Sequence, residues 1–300
     1  MIRYLEADER GKIRELYDAE INVSKELSDY YFSDYLKNNT TRQLVYEENG
    51  EITAFISIHI KKWWVQGNME ERNAFGMTEE HGNWQELYHQ ADAWYLYAIA
   101  DKDEGRSRIG ELIKRVLSDA EDEKVEFLYL MPDDPRNYTP FGFSMLNGVC
   151  DWRFEVDELT RKEDYTIKKL SEIENKEEIF EAMARVYKEA QTGAQYDAFL
   201  EKTAEYYAGV FRRLLLKHGD IFLLYENNRL SGFAEGDFKM GGFRFTEVIT
   251  IGHEDMIRSL RAFSSYENLS EIRLRQNAVM LYDGSNDAKW INRTGFLDKL

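Results

Sequence analysis

The sequence predicts an α/β chain with mixed sheets, built as two copies of one unit. Three observations carry this. Apolar residues at helical spacing alternate with short apolar runs along the whole chain. Residues 94–130 read as strand, polar loop, amphipathic helix and strand. A hairpin pattern in the first half, Tyr46 to Phe55, returns in the second as Tyr225 to Phe233, with one residue of slippage.

The elements follow in order. Residues 2–5 read as a strand and 10–21 as a helix, with Ile13, Leu16 and Tyr17 on one face. Residues 28–36 read as a second, aromatic-rich helix. Strands over 43–46 and 52–60 flank Asn49-Gly50, a pair that supplies the positive φ angles of a two-residue hairpin turn. Residues 61–90 are long and poorly periodic and carry Trp63, Trp64, Phe75, Trp84 and Tyr88. Such a stretch is expected to cap the core, or to pack over a substrate or a second copy of the chain in a homo-oligomer. The helix after residue 107 places Ile109, Leu112, Ile113, Val116 and Leu117 on one face. A right-handed crossover then returns the chain to a parallel strand at 125–130.

From residue 164 the order repeats. A strand starts at 165–167, and helices cover 177–190 and 205–216, the second stopping at Gly219. The returning hairpin, a strand at 245–251, a helix at 253–263 and a strand at 271–274 follow. The expected domains are 1–155 and 156–300.

Composition narrows the function. Of 300 residues, 43% are hydrophobic and 14% aromatic, which is the make-up of a folded globular chain. No apolar run approaches the ~18–20 residues that span a bilayer, so no membrane partner is expected. The first residues enter a strand at once, so no signal peptide is expected. A single cysteine, Cys150, rules out an intramolecular disulfide framework and suits a cytoplasmic protein. The net charge of −17 repels phosphate backbones, which argues against nucleic acid and favours a cationic small-molecule amine.

Metal and hydrolase chemistry find no support. The histidines, His59, His81, His89, His218 and His253, have no metal-ligand spacing, and no zinc site is expected with one cysteine. Asp133-Asp134 lies between two prolines and reads as a turn. There is no G-x-S-x-G elbow and no P-loop.

Tyr138 stands four residues before the Gly142-Phe143 pair, just after the βαβ unit. This end resembles the acyl-CoA site of the GNAT acetyltransferase superfamily. The resemblance covers the element order of residues 2–154, and it implies two tandem GNAT-like acyl-CoA N-acyltransferase folds. It implies that acetyl-CoA, the acyl donor, lays its pyrophosphate on the loop and helix start at Arg106, Ser107, Arg108, Ile109 and Gly110. The superfamily pattern there is Arg/Gln-x-x-Gly-x-Gly/Ala. Only its last position is kept, as Gly110; Gly105 and Arg108 depart from it. Arg106, Arg108, Lys114 and Arg115 form a basic cluster able to hold phosphate instead. Tyr138 would protonate the leaving thiolate. Backbone N–H groups at Ala98, Ile99 and Ala100 would face the acyl carbonyl and pantetheine. No base stands out; His59, Tyr97 and Asp92 are the candidates.

The duplicated layout resembles the Eis-type branch, whose second GNAT-like domain lacks its own cofactor site. In this chain Ile291 stands where a second Tyr would be, and no Gly-rich loop lies between Ile251 and Met256. The branch's sterol-carrier-like third domain is expected to be absent. The resemblance implies N-acetylation of an aminoglycoside-like or other cationic amine, or of a lysine or N-terminal amine. The alternative is a GNAT-fold binding or regulatory protein that has lost catalysis.

Overall fold

The computed structural model describes residues 1–21, 23–66, 88–103, 108–147, 150–155, 165–193, 198–239, 242–251, 254–266, 271–276 and 279–282. The chain forms two compact units. Unit 1 comprises Met1–Trp63, Gln90–Gly148 and Ala278–Trp290; unit 2 comprises Trp64–His89, Val149–Asn277 and Ile291–Leu300.

In unit 1 the strands are β1 (Ile2–Tyr4), β2 (Thr41–Glu48), β3 (Glu51–Gln66), β4 (Tyr88–Asp101), β5 (Phe127–Leu130) and β6 (Ser144–Asn147). The β2–β3 turn is the hairpin read from the sequence, with Asn49 at φ 52° and Gly50 at φ 83°. Alternation along β3 sorts its side chains. Ala54, Ile56 and Ile58 enter one core with Leu112, Ile113 and Val116 of helix α3 (Arg108–Asp122). Phe55 enters another with Ile13, Leu16, Tyr17 and Tyr31. Those residues belong to a 3-10 turn, Ala7–Ile13, and to helices α1 (Arg14–Glu20) and α2 (Lys25–Tyr30), the latter running on through a π-helical stretch, Tyr31–Tyr35. Burial of both faces explains why β3 reads as a nearly continuous apolar run. Each fully buried Ile, Leu or Val there contributes about 1.5–3 kcal/mol.

In unit 2 the strands are β7 (Cys150–Glu155), β8 (Thr166–Lys169), the short β9 (Ala198–Leu200), β10 (Gly219–Glu226), β11 (Arg229–Lys239), β12 (Gly242–Thr250) and β13 (Glu271–Gln276). A last strand, β14 (Val279–Tyr282), belongs to unit 1. Helices α4 (Glu177–Gly193) and α5 (Ala204–Leu215) supply Met183, Tyr187, Tyr207 and Phe211 to one core with Phe233 and Ile249. Helix α6 (Glu254–Tyr266) gives Leu260 and Phe263 to the opposite core with Phe222, Phe245 and Ile272.

Strand order repeats between the units. It is β1-β2-β3-β4-β5-β14-β6 in unit 1 and β8-β10-β11-β12-β13-β7 in unit 2. In each, the fourth and fifth strands are parallel, and the sixth is antiparallel to the fifth. That sixth strand is exchanged. β14, from beyond unit 2 in sequence, lies between β5 and β6. β7, which follows β6, pairs with β13 along six positions from Glu271–Glu155 to Gln276–Cys150.

Two local expectations are corrected. Gly219 does not stop α5: His218, at φ 56°, makes the left-handed turn. Gly219 opens β10, where a Cβ would stand 2.3 Å from the Gly236 carbonyl oxygen. Residues 61–66 and 88–90, expected within an irregular stretch, lie in β3 and β4. No helix among the described residues is long and apolar enough to cross a membrane.

Candidate functional site

The site is built where β4 leaves β5. Their parallel pairing runs from Ala93–Phe127 to Leu96–Leu130 and ends there, while β4 continues to Asp101. Ala98 has φ 50°, the left-handed region that costs an ordinary residue about 1–2 kcal/mol. The consequence appears in the side chains. Tyr97 and Ala98, consecutive in sequence, both pack on the α1–α2 core, and only at Ile99 does the strand return to the α3 core. Two neighbours on one face is the mark of a bulge. The bulge turns the strand aside at 98–100, the segment expected to offer its N–H groups.

Unit 2 has the same device. β12 pairs with β13 only from Phe243 to Phe245. Across from β11, Glu247 faces Glu235 and Phe245 faces Gly236, so Thr246 is the inserted residue.

At the start of α3, two members of the basic cluster read from the sequence, Arg108 and Arg115, are paired with carboxylates. Arg108 is buried, 5% of its side chain exposed. Its guanidinium lies 2.5 Å from Glu48 Oε2, 3.0 Å from Asp101 Oδ1 and 3.2 Å from Asp103 Oδ2. Its carbon lies 5.9 Å from the centre of the Tyr46 ring. Arg115 pairs with Asp119 one turn on, at 2.7 Å. Both charges are thus compensated by carboxylates. Arg106 and Ser107, and Gly105 before them, lie outside the described residues. Gly110 sits in the first turn of α3, where a Cβ would meet Phe141 Cζ at 3.3 Å.

Tyr138 joins two single 3-10 turns, Pro135–Asn137 and Thr139–Phe141. Asp134, predicted to be in a turn, caps the first by accepting from the Arg136 N–H at 3.0 Å. Gly142, at φ 89°, ends the second in a conformation that suits glycine and sends Phe143 into the core. The Tyr138 ring meets Phe143 edge-on at 6.3 Å. It packs, half-buried, on the same core as Ile99, Ile109 and Phe141. Burial, and after it the Asp133 carboxylate, push its hydroxyl above the ordinary phenol value, so it stays protonated at neutral pH.

The other face of β3 and β4 holds a network that sequence reasoning caught only as a lone histidine. His59 is buried, with Tyr31 Oη 3.3 Å from Nε2 and Tyr35 Oη 3.1 Å from Nδ1. Lys61 Nζ donates to Tyr35 Oη at 3.1 Å. The Tyr97 ring stands 5.0 Å from the imidazole, and its hydroxyl is 3.3 Å from that of Tyr17. Desolvation, then the Lys61 charge, hold the imidazole well below its usual value and keep it neutral. The available signal was the period of two shared by His59, Lys61, Tyr95 and Tyr97, which puts them on one face. Asp92, the remaining base candidate, is exposed and pairs with Lys62 at 2.6 Å. No cluster of metal-ligating side chains occurs among the described residues.

This strand order, with a splay between the fourth and fifth strands in each unit, defines a tandem GNAT fold. Solved structures share it across nearly the whole chain. A probable N-acyltransferase from Enterococcus faecalis V583 is 14% identical, with TM-score 0.70 over 95% of this chain and 72% of that one. Eis1 from Mycobacterium abscessus is 11% identical, with TM-score 0.64 over 98% and 76%. An N-myristoyltransferase from Saccharomyces cerevisiae with bound myristoyl-CoA is 8% identical, with TM-score 0.53 over 94% and 82%. At these identities the likeness is one of fold. No protein-family model and no curated protein matches the sequence.

Proposed function

We propose that this chain is an acyl-CoA-dependent N-acyltransferase, with acetyl-CoA as the donor and an amine as the acceptor. One observation carries the reading: the Ala98 bulge opens β4 away from β5, and Tyr138 packs on the same core as Ile99 beside that opening. Backbone at 98–100, past the end of the pairing with β5, suits the amide-rich pantetheine arm. Ile109 and Gly110 suit a diphosphate through their backbone, whereas Arg108 would have to leave three carboxylates to bind it by side chain.

In the proposed reaction the neutral amine attacks the thioester carbonyl. A C–N bond forms, the C–S bond breaks, and the Tyr138 hydroxyl gives its proton to the departing thiolate. The proton lost by the amine passes to solvent or a second amine, and the tyrosinate recovers a proton from solvent. His59 is a poor direct base, because it is buried and both its ring nitrogens are engaged. The solved neighbours named N-acetyltransferase, N-acyltransferase and N-myristoyltransferase support acyl transfer as the class. The acidic surface favours a cationic acceptor.

A second reading, a binding protein of the same fold without catalysis, draws on the Arg108 cluster. Calorimetric titration with acetyl-CoA, myristoyl-CoA and free CoA separates the two. Micromolar binding, followed by acylation of amines that falls at least a hundredfold in Tyr138→Phe, is expected. No binding up to millimolar ligand would remove the enzyme reading.

A further inference from the structure

Acyl transfer as proposed needs an amine, and one aromatic face of unit 1 bears on its class. Tyr95 and Tyr97 stand two residues apart on β4 and so share a face, the one opposite Trp94 and Leu96 of the α3 core. Tyr97 directly precedes the bulged Ala98, and Tyr95 lies about 10 Å upstream of it along the strand. Tyr138 and Ile99 pack on the α3 side. A donor whose sulfur meets Tyr138 there leaves the other side of β4 to the amine.

Three rings on that side are partly exposed, and each is backed by a buried one. Tyr35 stacks on Tyr31 at 5.6 Å and 19°. Tyr95 stacks on its cross-strand partner Tyr129 at 4.8 Å and 14°. Tyr97 lies 5.0 Å from the His59 imidazole and 5.9 Å from Tyr95. The hydroxyls of Tyr35 and Tyr97 are engaged within the protein, the first with His59 and Lys61 and the second with Tyr17. These two residues therefore offer a ligand ring surface. Buried neighbours already hold the rings in place, so little side-chain freedom is lost on binding.

Ring surface can receive a cation, an aliphatic group or another ring. A polycation is disfavoured, because the Lys61 ammonium already stands on this face, 3.1 Å from Tyr35 Oη and 5.5 Å from the ring centre. A second fixed charge there would meet a like charge. An aliphatic group gains from buried area alone. An aromatic group gains that area and the stacked or edge-on contacts that aromatic pairs add to it.

We propose that the acceptor is a monoamine bearing an aromatic ring, read by Tyr95 and Tyr97 while its nitrogen reaches the acyl carbon beside Ala98; the assignment rests on the acyl-transfer reading. Steady-state acetylation of 2-phenylethylamine and 2-cyclohexylethylamine by the full chain with acetyl-CoA tests it. The two amines differ in basicity as well as in the ring, so the readout is the change in their kcat/KM ratio between variants, in which basicity cancels. Tyr95→Leu should lower the aryl-to-cyclohexyl ratio by about three- to tenfold, and Tyr95→Phe should keep it. Tyr97→Leu should act in the same direction and serves if Tyr95→Leu fails to fold. A ratio unmoved by both leucine variants would overturn the aromatic acceptor while acyl transfer stands. If no amine is acetylated, acyl transfer itself fails, and calorimetry with the same two amines decides the aromatic site. Tighter binding of 2-phenylethylamine that is lost in Tyr95→Leu would support the site; equal binding of the two, or none, would overturn it.

Discussion

Gly110 in the first turn of α3 faces the ring of Phe141, and a methyl group on Gly110 would stand 3.3 Å from Phe141 Cζ. The helix start expected to meet the donor's phosphates therefore touches the segment that carries Tyr138. Gly110→Ala should leave stability within about 1 kcal/mol, because helix propensity gained offsets a tight contact with a half-exposed ring. Gly110→Val should push Phe141 aside and lower the acylation rate more than it lowers the melting temperature. Equal loss of both would mean that the contact matters only for packing.

Ala98 should tolerate glycine and reject a β-branched residue. Its φ of 50° is strained for any side chain and worst for valine. Ala98→Gly is expected to change stability by no more than about 1 kcal/mol, the strain relieved being offset by chain entropy. Ala98→Val should destabilise by about 2 kcal/mol or more, or flatten the bulge and abolish donor binding. Urea unfolding and calorimetry read the two effects separately. A Val variant that matches wild type in both would contradict the bulge.

The buried pair of Arg108 with Asp101 should dominate its cluster. Their side chains are 5% and 8% exposed, whereas Glu48 and Asp103 are 38% and 53% exposed. Arg108→Ala should lower stability clearly more than Asp103→Asn, because it leaves the little-exposed Asp101 charged and unpaired. Comparable costs in urea unfolding would mean that the cluster is solvated.

His59 makes stability depend on pH. Its folded value is lowered below an unfolded value of about 6.5. Between the two, the unfolded chain binds the extra proton, so stability is lost as pH falls below about 6.5, by up to about 1.4 kcal/mol per unit. His59→Phe should flatten that limb of a melting-temperature profile. An unchanged slope in the variant would assign the effect elsewhere.

The sequence disclosed the repeated α/β layout and a number of local features. Asn49-Gly50 marked its turn because only a few residues adopt φ above zero at low cost, and Asn227-Asn228, at φ 50° and 63°, did the same in unit 2. The buried face of α3 followed from the spacing of Leu112, Ile113 and Val116. The Ala98 bulge was not legible, since alanine announces no left-handed conformation. Nor was the fate of Arg108: its partners Glu48 and Asp101 come from two other elements, and a cation's spacing says nothing about which anion claims it. The exchange of β7 and β14 also escaped, because a four-residue apolar strand such as Val279–Tyr282 fits any open sheet edge.

The exchanged strands also set a timetable for synthesis. The slot between β5 and β6 is filled by residues 279–282, which leave the ribosome after nearly all of unit 2. Until then β5 presents an unpaired edge, the kind of surface that invites pairing with another nascent chain. Unit 1 includes residues 279–282, so its sheet gains the strand between β5 and β6 only when that late stretch of chain has emerged.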